Sequence, residues 1–169
     1  KLVRWLYLLE QDNKANFYSY EKLDGNVLYD ILNDKLLYDF LSWCQEKLWV
    51  DVDLDSKEAK EEFAVSCKKF YVDKTNQRVA KFFAKTSIVD QEFNINGIPV
   101  PTVKDLFAKI DWKEITNGVP VSFHGDLQFD NILYQPDGNF KLLDWRQDFA
   151  GLLTCGDLYY DLAKLYGGT

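Results

Sequence analysis

The sequence of 169 residues contains no methionine, one histidine, three cysteines and four prolines. Cys44, Cys67 and Cys155 are widely spaced and include no CxxC pair. This spacing is unlike that of a zinc site, and the odd number argues against a disulfide framework. We therefore predict free thiols, which are typical of a reducing compartment, and we expect a cytoplasmic protein.

Long hydrophobic runs and clustered basic charge are also missing. No uncharged segment reaches about 18 residues, the length that suggests a membrane-spanning helix, and the N-terminus lacks the pattern of a secretory signal. The net charge is −7, and lysines alternate with acids in runs such as KEAKEEF, whereas nucleic-acid binding needs clustered Lys and Arg. We expect no membrane span and no nucleic-acid partner. The oligomeric state stays open.

Apolar and aromatic residues are abundant, at 47% and 16% of the chain. This is enough to bury the core of one large domain. The chain opens on Lys1 rather than methionine and enters apolar sequence at once. We therefore expect it to be part of a longer protein.

The first half of the chain predicts two strands followed by helices. Residues 1–9 and 16–23 are rich in aromatic and branched residues and are separated by a polar turn. Apolar residues then recur at helical spacing over 27–49, with a break near Asn33. Ser56 is a candidate N-cap for a long amphipathic helical region.

The second half predicts a short helix, a set of short strands and a last helix. Residues 90–101 form a loop or a short extended segment, and a capped helix begins at Thr102. The strands are predicted at Val119–Phe123, Asn131–Tyr134 and Phe140–Leu143, and QPDGN is a strong turn signal between the last two. A helix follows Gly156.

The polar stretch FHGDLQFDNIL, residues 123–133, contains the single histidine. If QPDGN closes a hairpin, Tyr134 lies opposite Phe140 or Lys141, and Asn131 then lies beside Leu143 or Asp144. Asp126 lies in the loop that leads to the same end of the hairpin. Such an amide and carboxylate suit Mg²⁺ with phosphates, and a second carboxylate can orient a hydroxyl and accept its proton.

The runs HGDLQFDN, LLDW and GDLYYDLA together resemble the aminoglycoside phosphotransferase and choline kinase family. The resemblance implies an α+β fold: a protein-kinase-like large lobe, mainly helical, with a short β-ribbon at the active site. Residues 1–24 would be the end of the small lobe and the hinge, and residues 25–169 the helical C-terminal lobe. The small lobe would be largely missing, so we expect little or no activity from this chain alone.

The resemblance also implies roles for individual residues. Asp126 would be the catalytic base, and Asn131 and Asp144 would hold magnesium. His124 would brace the loop, and Asp161 would support the fold near the site.

The hinge and the helical region carry the remaining implied contacts. The segment YSYEKLDGNVLYDIL resembles the last strand of the small lobe, the hinge and the first helix of the large lobe. The backbone of Glu21 and Leu23 would then meet the adenine of ATP. Residues 34–118 would carry substrate specificity.

The implied activity is ATP-dependent phosphorylation of a hydroxyl on a small molecule: a sugar of surface-polysaccharide synthesis, an aminoglycoside or an amino alcohol. Arg146 stands where choline kinases carry an acidic residue, which argues against choline. Arg146 could reach a phosphate or an acidic substrate, and a surface ion pair is equally open. The alternative function is a non-catalytic kinase-like module that binds nucleotide or a partner. A protein kinase is disfavoured because the motifs read HGD and DW rather than HRD and DFG.

Overall fold

The structure is a computed structural model that describes residues 6–12, 15–20 and 22–167, the first two ranges by their backbone alone. Helices and small antiparallel sheets alternate along the chain. The strands are β1 (Leu6–Asp12), β2 (Ala15–Tyr20), β3 (Asn26–Val27), β4 (Phe93–Ile95), β5 (Ile98–Val100), β6 (Pro120–Val121), β7 (Ile132–Tyr134), β8 (Phe140–Leu142) and β9 (Gly156–Asp157). The helices are α1 (Leu28–Ile31), α2 (Asp34–Trp43), α3 (Lys57–Lys68), α4 (Lys74–Thr86), α5 (Val103–Ala108), α6 (Trp112–Ile115) and α7 (Leu158–Gly167).

Strands β1 and β2 pair antiparallel, with Asp12 opposite Ala15. The expected pair of strands is therefore present, but the predicted polar turn began too early, because Glu10–Asp12 belong to β1. Main-chain hydrogen bonds hold an antiparallel pair up to its turn whatever the polarity of the side chains, so composition misplaced this boundary.

The predicted helix starts and the predicted break are confirmed. Asn33 Oδ1 accepts from the N–H of Leu36 at 3.1 Å, Ser56 Oγ from that of Ala59 at 3.0 Å, and Thr102 Oγ1 from that of Asp105 at 3.0 Å. Each cap satisfies an N–H that the first helical turn leaves without an intrahelical partner.

Two π turns, Cys44–Leu48 and Lys69–Asp73, continue α2 and α3, and the second joins α3 to α4. The expected extended segment at 90–101 contains the β4–β5 hairpin. Helix α6 was not predicted; it is short and is capped by Asp111, whose Oδ1 accepts from the N–H groups of Lys113 and Glu114.

Two apolar clusters form the core on either side of the polar stretch. The first packs α2 and its π turn against the β7–β8 hairpin, and the Phe40 and Phe140 rings lie 5.0 Å apart. The second packs the α3–α4 region against the chain before β9, with Phe70 stacked on Phe149 at 4.5 Å. Burial of these rings fixes the elements that flank the polar stretch.

Two small sheets position that stretch. β3, β7 and β8 form one antiparallel sheet, and β6 pairs with β9 in another. Tyr134 lies opposite Phe140 and Leu133 opposite Lys141, which confirms the first of the two predicted registers. The predicted strands were too long: β6 covers only Pro120–Val121 of the predicted Val119–Phe123, and Asn131 belongs to a 3₁₀ turn, Phe129–Asn131.

Cys44, Cys67 and Cys155 are free, as predicted, and all three are buried. Burial raises the pKa of all three thiols, that of Cys67 to about 12. Within the described part of the chain, no helix has both the length and the apolar character needed to cross a membrane.

Candidate functional site

The polar stretch between β6 and β7 is held in place by its own apolar residues. Leu127 and Phe129 are buried in the first core cluster. Their polar neighbours Asp126 and Asn131 remain partly exposed. Since buried side chains alternate with open ones, the loop presents two polar groups to solvent from a fixed backbone.

A buried carboxylate fixes the start of this loop. Asp161, on α7, is fully buried and accepts from the N–H groups of His124 at 2.8 Å and Gly125 at 2.7 Å. The indole N–H of Trp49 donates to the same carboxylate at 3.1 Å. Burial raises the pKa of Asp161, and the two backbone donors oppose that rise. Asp161 therefore supports the site.

The imidazole of His124 is fully buried between the loop and the β8 end. Its Nδ1 accepts from the N–H of Asp126 at 3.2 Å, so Nε2 carries the proton and donates to the carbonyl of Leu143 at 2.6 Å. Burial lowers the pKa of His124, because an apolar surrounding disfavours the charged ring. A neutral ring that joins two segments agrees with the bracing role.

Gly125 is required where the loop meets the segment after β8. Its φ is +82°, and an added Cβ would lie 2.4 Å from Cβ of Arg146. The N–H of Arg146 donates to the carbonyl of His124 at 2.9 Å. The absence of a side chain at residue 125 therefore lets the two segments touch.

Asp126 and Asn131 lie in contact at the end of the hairpin where the sequence placed both residues. Asn131 Nδ2 donates to the carbonyl of Asp126 at 2.9 Å and lies 3.5 Å from its Oδ2. The N–H of Leu143 donates to the carbonyl of Asn131 at 2.9 Å. Asp144 follows Leu143 in sequence, so hydrogen bonds connect the two chain segments that carry Asp126, Asn131 and Asp144.

Asp144 has a left-handed backbone, with φ of 53°. Residues other than glycine adopt this region at a cost, and such strain is concentrated at functional sites. The side chain is exposed. The structure shows it with no hydrogen bond or ion pair to any other described residue. Its carboxylate is free to bind a ligand.

The donor set suits a hard cation. Because Asn131 uses its amide nitrogen within the loop, its amide oxygen remains available beside the Asp144 segment. Among the described residues, no three His, Cys, Asp or Glu side chains cluster as metal ligands. An Mg²⁺ held by one amide, one carboxylate, water and phosphate oxygens needs no such cluster.

Lys164 is a site residue that the sequence analysis missed. Its Nζ lies 2.6 Å from Asp126 Oδ1, and its side chain is 27% exposed. Lys164 stands three residues after Asp161 on α7, so the two share a helix face. That spacing was the available signal.

The sequence resemblance implied that the backbone of Glu21 and of Leu23 contacts the adenine of ATP. Glu21 lies outside the described residues. Leu23 is half-buried in an irregular segment between β2 and β3, and its contact with adenine stays a prediction.

The ion-pair alternative for Arg146 is wrong for the described residues, since no carboxylate lies within ion-pair distance of it there. Its Nε instead donates to the carbonyl of Asp148 at 3.0 Å, and its guanidinium lies 4.9 Å from the centre of the Phe70 ring. The side chain therefore reaches the second core cluster.

Comparisons of this chain with protein-family models, curated proteins and solved structures gave no match.

Proposed function

We propose that the chain is the C-terminal lobe of an ATP-dependent phosphotransferase with a protein-kinase-like fold, which phosphorylates a hydroxyl of a small molecule. A sugar is the favoured acceptor class, ahead of aminoglycosides and amino alcohols. The observation that carries the proposal is the hydrogen-bonded contact of Asp126 with Asn131, joined through Leu143 to a strained, exposed Asp144.

Asp126 is the proposed base. Lys164 occupies its Oδ1, and Oδ2 remains to orient the acceptor hydroxyl. The acceptor oxygen forms a bond to the γ-phosphorus of ATP as the bond from that phosphorus to the ADP oxygen breaks. The hydroxyl proton passes to Asp126.

Asn131 and Asp144 would hold Mg²⁺, which supplies positive charge to the phosphate oxygens. Lys164 adds a further positive charge beside Asp126, where negative charge on the transferred group can be stabilised. His124 and Asp161 act on the backbone, because their hydrogen bonds fix the position of the main chain that carries Asp126. Position and charge are the main contributions that phosphoryl transfer requires of a protein.

The test is ADP release with Mg·ATP and a panel of sugars, aminoglycosides and amino alcohols. It uses the longest natural polypeptide that contains this chain. An Asp126→Asn variant should lose about 10²–10⁴-fold in turnover, the usual contribution of a positioned base. Asp130→Asn is the matched control, since Asp130 is exposed on the same loop, and it should keep full turnover.

If no acceptor raises ADP release and magnesium-dependent ATP binding is also absent, the kinase proposal fails. A protein that binds Mg·ATP without turnover would instead be the non-catalytic module.

A further inference from the structure

A pocket of about 520 Å³ lies beside the candidate site, between the π turn Lys69–Asp73, the start of α4 and the segment 146–150. Phe70 forms part of its wall and belongs to that π turn. Single π turns inside helices occur frequently at functional sites. This π turn links α3 to α4, and the Arg146 side chain contacts the Phe70 ring there.

Two cations share the Phe70 ring. Lys74 Nζ lies 4.3 Å from the ring centre, and the guanidinium carbon of Arg146 lies 4.9 Å from it. Cation–π attraction holds each side chain at the pocket wall. It also holds two like charges near each other.

The positive charge of this pocket is only partly compensated. Lys69 adds a third cation, against the carboxylates of Asp73 and Asp148. Asp148 Oδ1 accepts from the N–H of Gly151 at 2.6 Å, and no described carboxylate forms an ion pair with Lys74 or Arg146. Burial and then the charges of Arg146 and Arg78 lower the pKa of Lys74, and the nearby Asp148 carboxylate opposes that fall.

Arg146, which lines the pocket, also contacts the loop that carries the proposed base. The Arg146 backbone donates to His124 of the same loop, and the Arg146 side chain lies against Gly125. Lys164, the ion-pair partner of Asp126, is also close enough to repel Lys74 electrostatically. Arg146 and Lys164 therefore connect the pocket to the loop that carries Asp126.

We propose that Lys74 and Arg146, held on the Phe70 ring, bind an oxyanion group of the acceptor, a carboxylate or a phosphate. The acceptor is then an acidic small molecule, such as a sugar acid or a sugar phosphate, rather than a cationic aminoglycoside or amino alcohol. The acceptor part of this inference rests on the proposed phosphotransferase function, whereas the oxyanion site does not.

The first experiment titrates inorganic phosphate into the chain without nucleotide, followed by NMR of the Lys and Arg side chains. Lys74→Gln and Arg146→Gln should each weaken binding about tenfold or more, because each removes a charge-assisted hydrogen bond. A glucuronate arm and a glucose 6-phosphate arm then distinguish carboxylate from phosphate, with glucose as the neutral reference.

Lys47→Gln is the matched control. Lys47 and Arg146 both line a neighbouring cavity of about 830 Å³, and Lys74 does not line that cavity. Equal charge loss there should leave phosphate affinity unchanged. If Lys47→Gln weakens binding and Lys74→Gln does not, the oxyanion occupies the other cavity and the proposal is overturned.

Nucleotide separates the two proposals. Saturating Mg·ADP should leave phosphate bound in the pocket. If Mg·ADP displaces the phosphate, Lys74 and Arg146 bind the nucleotide rather than the acceptor. If Mg·ATP supports turnover but phosphate affinity is the same in all variants, only the oxyanion site is wrong. If phosphate binds through Lys74 and Arg146 but Mg·ATP does not bind, the phosphotransferase proposal fails and the site remains.

Discussion

Lys164 Nζ lies 2.6 Å from Asp126 Oδ1, so the proposed base shares its carboxylate with a cation from α7. The other oxygen, Oδ2, lies 3.5 Å from Asn131 Nδ2. The two carboxylate oxygens therefore have different surroundings. Lys164 holds one carboxylate oxygen, and Oδ2 is the oxygen that would meet the acceptor hydroxyl in the proposed reaction.

Lys164→Met tests this arrangement by removing the charge and keeping most of the stem. Turnover should fall about 10²-fold, as when one preorganised electrostatic donor is removed. The free energy of unfolding should change by less than about 1 kcal/mol, because both partners are partly exposed. ADP release and urea unfolding measure the two quantities.

Lys35→Met is the control, because Lys35 forms an exposed ion pair with Asp39 one helical turn away. It should leave turnover unchanged. If both variants have equal turnover, Lys164 has no part in catalysis.

Gly125→Ala should damage the loop through contact rather than through backbone conformation alone. Gly125 and Gly97 have the same φ of +82°, but a Cβ at residue 125 meets Arg146 at 2.4 Å whereas residue 97 has open space. We expect Gly97→Ala to cost about 1 kcal/mol. Gly125→Ala should cost about 3 kcal/mol because overpacking adds to the strain.

Urea unfolding of the two glycine variants checks this difference, and ADP release should fall in Gly125→Ala alone. Similar unfolding free energies for both variants would show that the loop can move away from Arg146.

Local signals predicted much of the fold. The caps at Ser56 and Thr102 and the break at Asn33 were readable because the capping side chain and the N–H that donates to it lie within a few residues in sequence. The QPDGN turn likewise set the hairpin register, and with it the position of Asn131 beside Leu143. The kinase-like character of the fold stays a proposal.

Long-range contacts were not readable in the same way. The ion pair of Lys164 with Asp126 and the reach of Arg146 to Phe70 join segments far apart in sequence. Their existence depends on how α7 and the α3–α4 region pack against the loop. The π turn at Lys69–Asp73 was not predicted, because its sequence contains no proline or glycine to mark an irregular turn.

Asp161→Asn should destabilise the protein by about 2–4 kcal/mol. One amide oxygen replaces two carboxylate oxygens that accept from His124, Gly125 and Trp49, and the amide N–H₂ then faces a backbone donor. Urea unfolding at neutral pH measures the loss. Asp130→Asn, an exposed change of the same chemistry, should cost under about 0.5 kcal/mol. Equal costs would mean that the buried carboxylate does not hold the loop.

His124 predicts how stability depends on pH. Its folded pKa lies below the ordinary value of 6.5 because the ring is buried, so the folded state binds fewer protons than the unfolded state in that range. The contribution of His124 is then fully present above pH 6.5 and is lost as pH falls through the folded pKa. The slope reaches at most about 1.4 kcal/mol per pH unit, the value for one proton.

Because the sequence contains a single histidine, one set of imidazole NMR signals reports the titration of His124 without overlap from another ring. Those signals should show a midpoint below 6.5 and the proton on Nε2 at neutral pH. Unfolding free energies of the wild type and of His124→Asn, measured across pH 5–8, should differ by an amount that shrinks as pH falls. A midpoint at or above 6.5 would contradict a neutral, buried ring. The bridge from the Asp126 N–H to the Leu143 carbonyl would then need a charged imidazolium, which cannot accept at Nδ1.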